Sequence, residues 1–160
     1  MTDTFERKPS PARPGYHNVA LYFAVNNCAK ALEFYQRVFG AQVVNRMDEP
    51  DGTVLHAEMR IGDSMVELSD PDPAHGITPP PAEGNNFTIM IWTSDVDAVF
   101  AKAVEHGATV LSPLADVFSG DRMGVVRCPF GVRWGIGRHD RDIPYQEIAA
   151  AAREWMAAQA

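Results

Sequence analysis

Residues 53–70 read TVLHAEMRIGDSMVELSD, and this stretch predicts a β-hairpin with two chemically opposite faces. Gly62 and Asp63 are a Gly-first pair of the kind that two-residue hairpin loops prefer, and the flanking residues alternate between apolar and polar. With these two residues as the loop, Glu58 lies directly opposite Glu67. Directly opposed residues share a face of a sheet, so the hairpin has one apolar face and one polar face.

The two faces of the predicted hairpin carry different residues. The apolar face, which must pack on another element, contains Leu55, Ala57, Met59, Ile61, Val66 and Leu68. The polar face contains His56, Glu58, Arg60, Met65, Glu67 and Ser69. Two carboxylates placed directly opposite each other repel by roughly 3 kcal/mol at about 5 Å and an effective dielectric constant of about 20. Arg60, a charged His56, a shared proton, a bound cation or water could offset this repulsion.

The composition is that of an ordinary globular protein, with 160 residues, 46% hydrophobic and 22% charged. This length fits one compact domain or two small modules that share a sheet. The net charge of −7 argues against a nucleic-acid surface, and no apolar stretch approaches a membrane span or a signal peptide. Cys28 and Cys128 are too few for a disulfide framework. We therefore expect a cytoplasmic protein with reduced thiols and no nucleic-acid or membrane partner.

The pattern around the hairpin occurs twice in the chain. The first half predicts a strand in HNVALYFAV, a helix in CAKALEFYQRVF that is capped by Asn26 or Asn27 and ends at Gly40, a short strand and the hairpin. The second half predicts a strand in FTIMIWT, a helix that ends at Gly107, a strand in ATVLSP and a second hairpin. The Gly-Ala pairs at Gly40 and Gly107 align the halves 67 residues apart. The predicted fold class is α+β, with two βαβββ modules that form a curved mixed sheet around a cleft.

The domain prediction follows from this repeat. The predicted segments are a mobile N-terminal arm at 1–15, a domain at 16–140 with modules at 16–70 and 86–140 and a linker at 71–85, and a C-terminal helix at 141–160. We expect the arm to carry no chemistry, and the Pro- and Gly-rich linker to lack regular structure. The last helix is expected to pack Ile148, Ala152 and Trp155 on the domain or on a second subunit.

Several stretches also resemble a known family. They are GYHNV at 15–19, ALEFYQRVFGAQVV at 31–44, HAEMRIGDSMVELSD at 56–70, DVDAVFAKAVEHGATVLSP at 95–113, GDRMGVV at 120–126 and PFGVRWGI at 129–136. From about Gly15 to Ile148 the chain resembles the vicinal oxygen chelate superfamily, also called the glyoxalase, bleomycin-resistance and dioxygenase fold, and within it the PhnB-like group. The resemblance implies a homodimer. Its members include metal-dependent isomerases, lyases and dioxygenases, and metal-free proteins that sequester antibiotics.

The metal site of this family takes one residue from each of four strands, typically His and Glu. Mapped onto this sequence, those four places fall at Ala20, Glu67, Thr88 and Gly135. A single carboxylate is inadequate for a divalent ion, so the resemblance implies no metal at the usual centre, and we expect no cofactor. A displaced metal site stays open, because His56, Glu58 and Glu67 share the polar face of the hairpin.

Candidate site residues come from the resemblance and from strand alternation. Glu67 occupies a family ligand position and, facing Glu58 in a partly dry cleft, should have a raised pKa, as a general acid or base needs; His56 completes this candidate catalytic set. The candidate ligand-binding residues are Tyr22, Arg60, Met65, Thr88, Met90, Trp92, Arg122 and Arg133. Arg122 either forms a surface ion pair or closes over the cleft, and Trp134 is expected to belong to the core.

Three functions follow from these residues and from the resemblance. The first is a metal-independent protein that binds a small organic ligand in a cleft, of the antibiotic-binding or sequestering type. The second is a metal-independent isomerase, lyase or cyclase of a tailoring or detoxification pathway that uses Glu67 with His56 or Glu58 for proton transfer. The third is a metal-dependent, glyoxalase-like enzyme with a rearranged site.

Overall fold

The computed structural model describes residues 11–159, which form eight strands and three α-helices. The elements are β1 (Leu21–Ala24), α1 (Cys28–Phe39), β2 (Gln42–Asp48), β3 (Val54–Ile61), β4 (Ser64–Ser69), β5 (Ile89–Trp92), α2 (Val96–Glu105), β6 (Thr109–Asp116), β7 (Asp121–Arg127), β8 (Arg133–His139) and α3 (Tyr145–Ala158). The chain divides into two compact units between Pro79 and Pro80. Among the described residues, no helix is long and apolar enough to cross a membrane.

Each unit contains a four-stranded mixed sheet, and the two sheets have the same topology. The strand order is β1-β4-β3-β2 in the first unit and β5-β8-β7-β6 in the second. The first strand of each unit runs parallel to the last, and the other neighbouring strands are antiparallel. This arrangement confirms the predicted α+β fold with two βαβββ modules.

The strand registers confirm the internal repeat residue by residue. In the first unit Tyr22 pairs with Glu67, and in the second Met90 pairs with Gly135. Both members of the second pair lie 68 residues after their counterparts in the first, which agrees with the sequence alignment allowing for a one-residue slip. Gly135 therefore occupies the position in the second sheet that Glu67 occupies in the first.

The opening hairpin forms in the predicted register. Ile61 pairs with Ser64 across the Gly62-Asp63 turn, and Glu58 pairs with Glu67. The apolar face buries Ala57, Met59, Val66 and Leu68, together with Ala31, Leu32, Tyr35 and Val38 of α1. Burying a large apolar side chain contributes about 1.5 to 3 kcal/mol, so this alternation is sufficient to determine which face of the sheet meets the helix.

Helix α1 begins at Cys28 and ends at Phe39 as predicted, but the hydrogen bond at its first N–H differs from the prediction. Gly40 takes a left-handed conformation with φ 66°, and its N–H bonds the carbonyl of Tyr35. Asn27 occupies the N-cap position with φ 60°, but its side chain makes no capping hydrogen bond. The Asp70 carboxylate, from the end of β4, accepts a hydrogen bond from the N–H of Cys28 at 3.0 Å and another from the N–H of Val54 at 2.8 Å. Asn27 therefore holds the predicted cap position, but a residue distant in sequence supplies the side-chain acceptor.

The second unit buries Trp134 and Ile136 of β8 beside Val96 and Ala103 of α2, as expected for Trp134. The segment 71–85 contains one 3-10 turn, Pro73–His75, so the prediction that it lacks regular structure was wrong at this point. Helix α3 forms, but none of its described residues is buried, and Trp155 is 56% exposed. Its packing on a second subunit stays a prediction.

Candidate functional site

The polar face of the first sheet brings the three predicted catalytic side chains together. His56 and Glu58 lie on β3, and Glu67 lies on β4 directly opposite Glu58. Tyr22 of β1 pairs with Glu67 in the ladder, and its ring stacks on the His56 ring with 5.9 Å between centroids. Strand alternation placed all four side chains on this face correctly.

A single guanidinium group connects the two opposed carboxylates. Nη2 of Arg13 lies 2.7 Å from Oε1 of Glu58 and 2.8 Å from Oε1 of Glu67. The Glu58 side chain is only 6% exposed and that of Glu67 21%, whereas Arg13 itself is 61% exposed. The repulsion between the acids is therefore offset by a cation from the segment before β1. Arg60, one of the groups that we considered for this role, instead donates to Oε1 of Gln42 at 2.6 Å.

Glu58 is held as a carboxylate. Nδ2 of Asn45 donates to its Oε2 at 2.6 Å. This hydrogen bond, together with Arg13 and His56, lowers the pKa of Glu58 below its usual range, although burial acts in the opposite direction. The proton-sharing arrangement that would raise the pKa of this acid is therefore not the one formed. Each Glu58 oxygen has a hydrogen-bond donor of its own.

Tyr16 extends the site beyond the sheet. Its hydroxyl donates to Oε1 of Glu67 at 3.1 Å, and the guanidinium carbon of Arg13 lies 4.5 Å from the centre of its ring. Burial, followed by the hydrogen bond to Glu67, raises the pKa of Tyr16 to about 12. The phenol therefore stays protonated near neutral pH and acts as a hydrogen-bond donor.

An open cavity of about 270 Å³ lies on this polar face. Its lining includes Arg13, Tyr16, Asn45, Glu58, Arg60 and Met65. Of the residues predicted to bind a ligand, Arg60 and Met65 contribute directly, and Met65 supplies apolar surface. The cavity combines one thioether and an aromatic ring with a few polar groups whose positions are fixed by hydrogen bonds.

The same cluster has the donor set of a divalent metal site. One ligand atom each from His56, Glu58 and Glu67 lies within 4.8 Å of the others. Nε2 of His56 is 3.6 Å from Oε1 of Glu58 and 4.0 Å from Oε1 of Glu67. These Oε1 atoms are the ones that Arg13 contacts, so a metal ion and the Arg13 guanidinium would compete for them.

The corresponding face of the second sheet has different chemistry. A Cβ atom at Gly135 would lie 2.2 Å from Sδ of Met90, so the methionine side chain fills the space above this glycine. Trp92 covers Gly137 in the same way and remains 56% exposed. Nε of Arg133 donates to Oγ1 of Thr88 at 2.9 Å. The face that carries acids in the first sheet therefore carries a thioether, an indole and a guanidinium here.

Arg122 forms the ion pairs that we considered as one of its two roles. Its guanidinium bonds the carboxylate of Asp97 on α2, with Nη2 2.6 Å from Oδ1, and that of Asp116 on β6 at 3.1 Å. Because Gly124, two residues later, faces Phe100 of α2, alternation places Arg122 on the helix side of the second sheet. It therefore lies on the opposite side from Met90 and Trp92.

Six of the nine residues that line the cavity were not predicted from the sequence, namely Arg13, Pro14, Gly15, Tyr16, Val44 and Asn45. Residues 1–10 of the predicted arm lie outside the described residues, but Arg13 and Tyr16 reach the acids of the sheet. The only local signal there is the turn-forming pair Pro14-Gly15 between them. Asn45 was missed because a β-bulge shifts the register between Val43 and Asn45.

Comparison with known proteins gives a consistent family assignment. Residues 15–136 match the model of the Glyoxalase/Bleomycin resistance protein/Dioxygenase superfamily. An uncharacterized protein of Mycobacterium bovis is 39% identical over 134 residues, which cover 81% of this chain and 88% of that protein. The chain is also similar to crystallised TioX from Micromonospora sp. ML1, with 28% identity, a TM-score of 0.61 and coverage of 77% of this chain and 98% of TioX.

A further structural neighbour bears the name of the PhnB-like group. It is the PhnB protein from Bacillus cereus, described as a putative 3-demethylubiquinone-9 3-methyltransferase. The identity is 21% and the TM-score 0.59, with coverage of 76% of this chain and 99% of the neighbour. At this identity the likeness shows a shared fold.

Proposed function

Because the chain belongs to the Glyoxalase/Bleomycin resistance protein/Dioxygenase superfamily, we propose that it binds a small organic ligand in the cavity on the polar face of the first sheet. The observation that carries the proposal is the lining of this cavity, where Met65 and the ring of Tyr16 stand beside the hydrogen-bonded Glu58. Small-molecule sites generally combine apolar surface with a few placed polar groups. The volume of about 270 Å³ is close to the lower end of the usual range, roughly 300 Å³.

Binding without the usual metal centre of the family is the form of this function that the residues favour. The side chains of Ala20 and Gly135 contain no atom that can bind a metal, and Thr88 offers only a neutral hydroxyl oxygen. A side chain at position 135 would also collide with Met90. Together with the family assignment, this supports a protein of the antibiotic-binding or sequestering type.

Two enzymatic alternatives rest on the same cluster. Glu67 has Tyr16 and His56 close to one oxygen, which would suit proton transfer in an isomerase, lyase or cyclase. The spacing of His56, Glu58 and Glu67 would suit a displaced divalent metal. In both cases the Arg13 guanidinium, which contacts the Oε1 atoms of Glu58 and Glu67, has to leave the carboxylates first.

The experiment is a thermal-shift screen of small organic compounds, followed by calorimetry on the compounds that stabilise the protein. Val44 lines the cavity and is 49% exposed, so Val44→Trp should fill the opening without disturbing the core and should weaken binding at least tenfold. Leu111 is the repeat equivalent of Val44 and is 45% exposed, which makes Leu111→Trp the matched control. Equal losses in the two variants, or no loss in Val44→Trp, would reject the cavity as the site.

Two measurements separate the three functions. Metal analysis of the purified protein comes first, because stoichiometric metal that is lost in His56→Ala would favour the rearranged metal site. Glu67→Gln then distinguishes binding from catalysis, since a binder loses only modest affinity while proton transfer falls by orders of magnitude. A homodimer remains a proposal from the family resemblance, and light scattering at micromolar concentration tests it. A cytoplasmic location remains a proposal from the sequence composition.

A further inference from the structure

The Arg13 guanidinium lies between the carboxylates of Glu58 and Glu67, where a bound cation would also lie. Its guanidinium nitrogen Nη2 lies between Oε1 of Glu58 and Oε1 of Glu67, at 2.7 and 2.8 Å, but Arg13 does not belong to the sheet. It lies in a short turn, closed by the hydrogen bond from the N–H of Tyr16 to the carbonyl of Arg13 at 3.0 Å. The side chain is 61% exposed, whereas the Glu58 side chain that it meets is 6% exposed.

The two acids favour a cation at this point because their Oε1 atoms lie on either side of one guanidinium nitrogen. Oε2 of Glu58 has the Asn45 amide at 2.6 Å, so it is Oε1 that faces Glu67. A nearly buried carboxylate that loses its partner incurs a large desolvation cost, so the exchange of Arg13 for water is unfavourable. Exchange for another cation conserves the pairing.

We propose that Arg13 is an internal, displaceable occupant of a cation subsite, and that the cavity takes organic cations with a guanidinium, amidinium or amine head group that replaces it on Glu58 and Glu67. This inference rests on the proposed function and specifies its ligand class. The segment 11–16 then acts as an autoinhibitory strap whose turn and Tyr16 contacts give way when the ligand binds.

The charges of the site favour a cation over a neutral or anionic ligand. When Arg13 leaves, Glu58 and Glu67 face the cavity together, while the Arg60 guanidinium stays bonded to Gln42. His56, within 3.6 Å of Glu58, can carry a further positive charge only when it is protonated. The Tyr22 ring is stacked on His56 and pairs with Glu67, so an aromatic ring lies beside the acid pair, outside the residues that line the cavity.

The strap lowers the apparent affinity by a predictable factor. A ligand of this class binds only to molecules in which Arg13 has left the acids. Its apparent dissociation constant then equals the intrinsic constant divided by the fraction of molecules in that state. If the contacts of Arg13 hold the strap in place about nine-tenths of the time, removal of its side chain strengthens cation binding roughly tenfold.

The test is a titration of the full chain with benzamidine, an aryl amidinium, and with its neutral isostere benzamide, monitored by two-dimensional ¹⁵N NMR. We expect Arg13→Ala to bind benzamidine roughly tenfold more tightly than the wild type, and benzamide to show no such gain. In the wild type, benzamidine should shift the amide signals of the turn at 13–16 together with those of β3 and β4.

The matched control is Arg46→Ala. Arg46 is in the same unit and pairs with Asp48 at 2.7 Å, so the variant removes the same charge and an ion pair of similar length outside the cavity lining. It should leave the benzamidine affinity within about twofold of the wild type, which is about a third of one tenfold step in free energy. Arg13→Lys keeps the charge but loses the planar guanidinium group, so its benzamidine affinity should lie between those of the wild type and Arg13→Ala. This variant keeps the test decisive if Arg13→Ala is poorly folded.

Three results would overturn the inference. The first is an equal benzamidine affinity in the wild type and Arg13→Ala. The second is a benzamide affinity that rises in Arg13→Ala as much as the benzamidine affinity does. The third is a rise in affinity for Zn²⁺ alone, which would make the acids a metal site. In the first two cases the Val44→Trp result still decides the proposed function, because cavity binding of a neutral compound would stand without the strap. If neither compound binds any variant and the screen finds no ligand, both proposals fail.

Discussion

Glu58 lies directly opposite Glu67 in the ladder between β3 and β4, and the two carboxylates share the Nη2 atom of Arg13. Like charges in directly opposed positions destabilise a sheet. The repulsion is offset because a guanidinium from outside the sheet contacts both Oε1 atoms, and the Asn45 amide donates to Oε2 of Glu58. The acid pair is therefore a polar feature whose stability depends on one exposed side chain.

The first prediction concerns the coupling between Arg13 and the acids. Arg13→Met should lower the melting temperature of the protein at low ionic strength, because two nearby carboxylates lose their shared cation. Glu67→Gln should restore part of this loss when it is added to Arg13→Met, since it removes one of the repelling charges. Thermal unfolding followed by circular dichroism at 20 mM and 500 mM salt measures both effects, and Arg46→Met provides the charge-matched control. An unchanged melting temperature in Arg13→Met would contradict the coupling.

The second prediction concerns the acid range of the stability profile. Asn45→Leu removes the strongest influence that lowers the pKa of Glu58, and it should cost about 2 kcal/mol of unfolding free energy at pH 7. A carboxyl with a lowered folded-state pKa contributes stability that is complete above its ordinary pKa, about 4.3, and is lost as the pH falls through the folded-state value. The difference between wild type and variant should therefore shrink between pH 5 and the lowest pH at which the protein stays folded.

Urea titrations at a series of pH values give this difference directly. Gln42→Leu is the control, because Gln42 lies on the same strand and bonds Arg60 rather than Glu58. A wild-type-to-variant difference that stays constant down to pH 3 would refute the role of Asn45.

The third prediction concerns the start of α1. Asp70→Ala removes the acceptor for the N–H groups of both Cys28 and Val54, and should cost about 2 kcal/mol. Asn27→Gly should be neutral or slightly stabilising, because Asn27 has φ 60° and makes no capping bond with its side chain. Chemical denaturation of the two variants decides between them, and a larger loss in Asn27→Gly than in Asp70→Ala would reverse the assignment of the cap.

The fold could be predicted because the sequence carries strong local patterns. Alternation at 53–70 determined the register of β3 and β4, since a slip of one residue would expose the apolar set to water. The repeat of strand, helix, glycine and hairpin gave the topology of both sheets. These features depend on neighbours that are close in sequence.

The composition of the site depended on contacts that local patterns do not encode. Nothing near Arg13 specifies which acid it meets 45 or 54 residues later. Asn45 shares a face with Gln42, three residues earlier, only because the bulge at Val44 adds one residue to β2. A strict period of two would place these side chains on opposite faces, so the donor that fixes Glu58 was invisible to the sequence pattern.

The fourth prediction concerns His139, which links β7 to the segment before α3. Its Nδ1 lies 2.7 Å from Asp121 and its Nε2 3.0 Å from Asp142, and these hydrogen bonds raise the pKa of His139. A raised folded-state pKa gives stability that is complete below the ordinary value of about 6.5 and is lost as the pH rises through the folded-state value. His139→Gln should therefore lower the melting temperature more at pH 5.5 than at pH 9.

The control for this measurement is His106→Gln, since Nδ1 of His106 lies 2.9 Å from the backbone oxygen of Lys102 and not beside a carboxylate. The losses of melting temperature in the two variants are compared at each pH. A pH-independent loss in His139→Gln would mean that its two carboxylate contacts are absent in solution.

The fifth prediction tests why the second sheet has no counterpart of Glu67. A Cβ atom at Gly135 would lie 2.2 Å from Sδ of Met90, so Gly135→Ala should cost about 1 to 3 kcal/mol through overpacking. Met90→Ala removes the obstructing atoms, and the double variant should recover most of that loss as a favourable coupling energy. Gly124→Ala is the control, because its Cβ would meet Phe100 and Leu114 on the other side of the sheet. Its cost should add to that of Met90→Ala without coupling, and equal coupling for both glycines would show that Met90 does not occupy the position equivalent to Glu67.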